Sequence, residues 1–167
     1  PASIEDFKRI RLVEFEERQS NIGATYQDQS TGTIISVYVY RPLVPDASIW
    51  FDRALQSIGF RTEYLGETNL DRVSLSGFVP VGGSVDSGQY AVIEVKGPYR
   101  STAVAIYRAD DWLVKVRISS RVFRVKRLRD VMQGFLAGLT AMENIDGDPA
   151  YLIKPCKTQF PASDATP

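Results

Sequence analysis

The chain has 167 residues, with 20 lysines and arginines against 20 aspartates and glutamates, one cysteine and no histidine. An apolar share of 44% and a charged share of 24% are the balance of a folded globular domain and exclude a chain too polar to build a core. The missing histidine removes Ser-His-Asp and Cys-His nucleophilic systems and the most common transition-metal ligand, and a lone cysteine makes neither an intrachain disulfide nor a cysteine-rich zinc site.

The chain begins at Pro1 rather than Met. A removed leader or a trimmed end is therefore expected, with an exported, periplasmic location slightly favoured over a cytoplasmic one. Residues Ile10 to Arg18 keep two periods at once. Ile10, Leu12 and Glu14 alternate with Arg11, Val13 and Phe15, whereas Phe7, Ile10 and Val13 hold helical spacing; a strand is expected. Gly23 to Asp28 reads as a short strand and Gln29 to Gly32 as a turn. Thr33 to Arg41 has the strongest period of two: Ile35, Val37 and Val39 mark one face, Ile34, Ser36, Tyr38 and Tyr40 the other. Large side chains on both faces predict cover on both sides, and Pro42 and Pro45 end the strand.

Asp46 is a good N-cap. After it Ala47, Trp50, Phe51, Ala54, Leu55 and Ile58 recur at three- and four-residue steps, which predicts a helix over 47–58, with Gly59 as its stop. From Phe60 the period returns to two. Arg61–Leu65, Arg72–Val79, Tyr90–Lys96, Arg100–Tyr107 and a segment from Trp112 to Ser119 all read as strands. The loop VGGSVDSG over 81–88 divides two of them, and Arg108–Asp111 forms a hairpin turn with Asp110 and Asp111 at its tip. The connections are too short for crossover helices, so consecutive strands pair antiparallel. A second helix is expected over 123–142, with Val125, Leu128, Val131, Met132, Phe135, Leu136, Leu139 and Met142 as its apolar stripe. Gly134 and Gly138 form a GxxxG in that helix, which marks close packing inside a core; no apolar run reaches the ~18–20 residues that span a bilayer.

The expected fold is α+β: an antiparallel sheet of about six or seven strands with two main helices, 47–58 and 123–142. Residues 1–160 form one domain and 161–167 a flexible tail. The strand GTIISVYVYRP leads into the capped helix DASIWFDRALQSIG, antiparallel strands follow, and RLRDVMQGFLAGL closes the domain. Over residues 10–142 this order resembles the Mog1/PsbP-like α/β/α sandwich and small bacterial proteins with a "VYVY" strand before a helix. The resemblance implies an accessory or binding role rather than catalysis, and it transfers no functional residue.

Charge is the main non-random feature. Lys115, Arg117, Arg121, Arg124, Lys126, Arg127 and Arg129 follow one another with no acid between Val114 and Arg129, leaving 13 basic residues against 20 acidic ones elsewhere, a net of −7. Arg124, Lys126 and Arg127 also lie near the positive end of the second helix dipole, where a cation costs up to about 1 kcal/mol. The plain account is pairing with acids such as Glu14, Glu16 and Glu17. The functional account is a patch for an acidic protein, a phospholipid head group or another anion, with Arg117, Arg121, Arg124, Lys126, Arg127 and Arg129 as its binding residues. Zero net charge and the lack of a binding motif argue against specific nucleic-acid recognition.

Other features are weaker. Tyr38, Tyr40, Tyr90, Tyr99, Tyr107 and Trp112 suit core packing or a stacking platform. The 81–88 loop lacks GK[ST] and precedes a strand, which argues against a phosphate loop and leaves a plain flexible connection, with a recognition loop as the alternative. Glu143, Asp146 and Asp148 do not have EF-hand spacing, and Cys156, between Lys154 and Lys157, lacks a base or a resolving cysteine. No metal or cofactor is expected. Three functions follow in order: a non-enzymatic binding or accessory domain using the 115–129 cations; a small-ligand or lipid carrier with a pocket lined by Trp50, Phe51, Tyr38 and Tyr40; and an enzyme of carboxylate, Tyr or Lys chemistry.

Overall fold

The structure is a computed structural model that describes residues 1–15, 21–61, 65–68, 73–80 and 88–143, with the backbone alone at 140–143. Among the described residues, nine strands and two helices follow in the order β1 (Ser3–Ile4), β2 (Phe7–Glu14), β3 (Asn21–Gln27), β4 (Ile34–Tyr40), α1 (Ala47–Gly59), β5 (Glu67–Thr68), β6 (Ser74–Phe78), β7 (Gly88–Lys96), β8 (Ser101–Ala109), β9 (Trp112–Ser120) and α2 (Val125–Glu143). The sheet runs β1-β2-β3-β4-β9-β8-β7, every neighbouring pair antiparallel. The outer edge of β7 is shared: β6 pairs with its first half and β5 with its end.

The architecture is the expected α+β one, with more strands than six or seven. The additions include the two-residue β1 and β5, which are too short to show a period. At 61–65 the strand expectation fails where it is described, since Leu65 is helical and fully buried, its N–H donating to the Arg61 carbonyl at 2.8 Å. Asp46 caps α1 as its position requires, its Oδ1 accepting from the Ser48 and Ile49 N–H groups at 2.9 and 3.2 Å. Gly59 is the last helical residue, and the turn closes through the Phe60 N–H on the Gln56 carbonyl. Asp110, at φ 51, forms with Asp111 the two-residue hairpin loop between β8 and β9. The loop at 81–87, the tail beyond 143 with Asp146, Asp148 and Cys156, and Glu16 and Glu17 all lie outside the described residues.

Each helix covers one face of the sheet. On the α2 face Tyr26, Ile35, Val37, Val39, Val92, Ala103, Ala105, Val114, Val116 and Ile118 pack under Leu128, Met132, Phe135 and Leu139. On the other face Phe51, Ala54 and Ile58 of α1 press on Ile93, Val95, Val104, Ile106 and Leu113. β7 and β8 are therefore buried on both sides, which is why they read as nearly unbroken apolar runs. The sheet bends around α2 far enough that β1 and β7 both touch it. Phe7 and Tyr26 meet the Phe135 ring edge-on, at centroid distances of 5.9 and 5.3 Å.

The GxxxG is where β1 docks. A Cβ at Gly138 would lie 2.7 Å from Ile4 Cγ2, and one at Gly134 would meet the Glu5 carboxylate. The two clashes differ in kind. Ile4 is buried and β-branched, with nowhere to turn, whereas Glu5 is exposed and can swing its carboxylate into water. Gly138→Ala should therefore lower stability in urea unfolding by roughly 1–2 kcal/mol, although alanine is ordinarily better than glycine in a helix by about 1 kcal/mol. Gly134→Ala should be neutral or stabilising, and an Ile4→Ala background should reverse the sign at Gly138.

Candidate functional site

Antiparallel register decides which cations can act together. Tyr38 faces Lys115 across the β4–β9 pair, Ser36 faces Arg117 and Tyr40 faces Leu113. Because side chains alternate, Tyr38, Tyr40, Lys115 and Arg117 share the α1 face, while Val37, Val39, Val114 and Val116 point to α2. Among the described residues α1 packs mainly on β7, β8 and β5, beside the strip of β9, β4 and β3. A groove of about 510 Å³ results. Its floor is Asn21, Tyr38, Tyr40, Lys115 and Arg117; its wall is Trp50, Arg53, Ala54 and Ser57 of α1, continued by Arg61. Cover on both faces of β4 was expected from its large side chains. The α1 side is instead open enough that Ile34 stays 40% exposed and Tyr38 and Tyr40 half-buried.

The groove is strongly basic. Four cations line it, and among the described lining residues there is no carboxylate. Lys115 Nζ stands 5.8 Å from the centre of the Tyr38 ring, and Arg53 Cζ 5.2 Å from that of Trp50. Burial holds the Lys115 ammonium below its ordinary pKa of 10.5, with Arg117 and Arg61 adding repulsion. Burial also pushes the Tyr40 hydroxyl up to about 12, so it remains a neutral donor in the groove. Tyr40 and Trp50 meet edge-on at 5.3 Å, and the Trp50 indole N–H donates to the Val44 carbonyl at 3.0 Å. This aromatic pair fixes one end of the groove.

The 115–129 cations lie on different elements. Arg117 joins Lys115 in the groove. Arg121 follows the end of β9, with Cζ 5.3 Å from the Tyr99 ring centre. Arg124 precedes α2, Lys126 is exposed in its first turn, and Arg127 covers Phe123 at 5.8 Å. Arg129 is half-buried and donates to Ser74 Oγ at 2.6 Å, its Nε without a partner among the described residues. Glu14 lies on the α2 face, opposite Ile22 and thus in line with Val39, on the side of the sheet away from Lys115 and Arg117. Of the aromatic set, Tyr90 and Tyr107 are core residues and Trp112 stacks with Arg41 at 5.0 Å. Phe51 belongs to the α1 core rather than to the groove.

Arg53 and Arg61 were not expected as site residues. Arg53 had a signal, since it stands three residues after Trp50 and therefore on the same edge of α1. Arg61, past the end of the helix, had none. Among the described residues no three potential metal ligands converge, and no helix is long and apolar enough to cross a membrane. Compared with known proteins, the chain matches no protein-family model and no curated protein.

The two shifted groups have opposite consequences for stability. Lys115 titrates lower folded than unfolded, so between its lowered value and 10.5 the unfolded chain holds more protons and stability rises with pH. Tyr40 titrates higher folded, so the folded state keeps a proton the unfolded chain releases, and stability falls from pH 10 toward 12. Lys115→Gln should raise the melting temperature at neutral pH by about 1–3 °C and remove the alkaline rise. Tyr40→Phe should flatten the fall above pH 10. Thermal melts of both variants across pH 7–12 check these signs.

Proposed function

We propose that the protein is a non-catalytic binding or accessory domain, and that it engages an anionic group of its partner in the groove beside α1. The observation that carries this reading is Lys115: a half-buried ammonium that shares the groove with Arg61 and Arg117 and is repelled by both, with no carboxylate among the described lining residues. Such a site costs stability when empty, and an incoming anion removes both the repulsion and part of the desolvation cost. Arginine offers planar, bidentate hydrogen bonding to phosphate or carboxylate, and Tyr38 and Tyr40 bring hydroxyl groups to the groove floor.

A binding role fits the composition of the site. Among the described residues, the titratable side chains lining the groove are cations and tyrosines, without the acid and base of contrasting pKa that proton-transfer chemistry requires. The likeness of element order to the Mog1/PsbP-like sandwiches supports the same class, by analogy of fold. The basic segment contributes Lys115 and Arg117 to this reading, with Arg53 and Arg61 in place of the α2 cations. A groove of about 510 Å³ is also within the range of small-ligand sites, which brings the carrier reading to the same place.

The chain has two tryptophans, and Trp50 lines the groove. In a Trp112→Phe background its fluorescence should report titration with inorganic phosphate and acetate. Arg53→Glu, Arg61→Glu and Lys115→Gln should each weaken binding about tenfold or more, and added salt should weaken it in all forms. Failure of the parent protein to bind any anion, or affinities untouched by all three substitutions, would reject the reading.

A further inference from the structure

The groove does not end at Tyr40 and Trp50. A second concavity of about 520 Å³ shares Asn21, Tyr40, Trp50 and Arg53 with the first and continues past Arg41 to Pro42, Leu43, Val44 and Ile49. Its chemistry is different. Leu43 is fully exposed, and Val44 and Ile49 are 58% and 46% exposed, so three aliphatic side chains in one short stretch face outward. This stretch is held in place: the Trp50 indole N–H bonds the Val44 carbonyl, Pro42 and Pro45 restrict the backbone, and Asp46 caps the helix that follows. One continuous depression therefore has a cationic end at Lys115 and Arg61 and an aliphatic end at Leu43, Val44 and Ile49. Arg53 and the Tyr40–Trp50 pair lie at the junction. The indole N–H is already used, so Trp50 presents ring surface to whatever lies there.

Resting on the anion-binding reading above, we propose that this groove binds an amphipathic anion: an acidic head group seated among Arg53, Arg61 and Lys115, with an alkyl tail laid across the Tyr40–Trp50 edge against Leu43, Val44 and Ile49. Charge complementarity selects the head and its orientation. The ordered, outward-facing aliphatic residues select the tail, because a tail over them removes apolar surface from water on both partners. A small hydrophilic anion would use the first concavity and leave the second unexplained.

The test is a chain-length series. Inorganic phosphate and butyl, hexyl, octyl and decyl phosphate, each below its micelle concentration, are titrated against the Trp112→Phe protein by Trp50 fluorescence. Affinity should tighten by about two- to fourfold per methylene while the tail is being covered, the upper figure corresponding to full burial. Leu43→Ser with Ile49→Ser should flatten this dependence and leave inorganic phosphate binding unchanged; both side chains are exposed, and thermal melts check folding. Lys115→Gln should weaken the whole series by a common factor. If the parent protein binds all members equally, the amphiphile inference is overturned while the anion site stands; if it binds none, the anion reading itself fails. Vesicles containing phosphatidic acid separate the two sources of such a ligand. Vesicle binding without binding of monomeric octyl phosphate would overturn groove occupancy, and binding of the monomer in the absence of vesicles supports it.

Discussion

The geometry depends on one mismatch of widths. A helix is about 10 Å across with its side chains, and neighbouring strands lie about 4.8 Å apart, so one helix covers roughly two strands. Here, among the described residues, a wide sheet has a single helix on each face. On the α2 side the sheet bends until its β1 edge reaches the helix, and the deficit closes. On the α1 side, among the described residues, the helix packs mainly on β7, β8 and β5, and the groove lies beside it over β9, β4 and β3.

The bend requires contact between a strand and a helix backbone. Gly134 and Gly138 permit it, with Ile4 and Glu5 occupying the space their side chains would take. Phe7, Tyr26 and Phe135 then fill the angle between the edge hairpin and α2 with edge-on rings.

The charge pattern shows why a linear run is a poor guide to a surface. Seven cations follow one another between Val114 and Arg129, yet the sheet separates them. Strand alternation sends Lys115 and Arg117 to the α1 side, the end of β9 releases Arg121 toward Tyr99, Arg124 precedes α2, and α2 carries Lys126, Arg127 and Arg129. The groove recruits Arg53 and Arg61 from a segment more than fifty residues earlier. Neutral net charge overall and four cations lining one groove are compatible, because electrostatic interaction depends on distance in space rather than along the chain.

Helices and most strands were legible in the sequence because their causes are local. Asp46 with a three- and four-residue apolar repeat makes α1 wherever it is placed, and alternation from Thr33 to Arg41 makes β4. Tyr38 and Tyr40 could likewise be put on one face, opposite Val37 and Val39, from the pleat alone. Short β1 and β5 carried no period to read, and Leu65 took a helical turn because it had to reach the buried α1 cluster. What only the tertiary structure decided is which face each helix covers, how far the sheet bends, and which cations converge. Periodicity divides side chains between two faces, but it does not say what will cover either one. That follows from long-range packing, in which β9 brings Lys115 against Tyr38 across a pair separated by most of the chain.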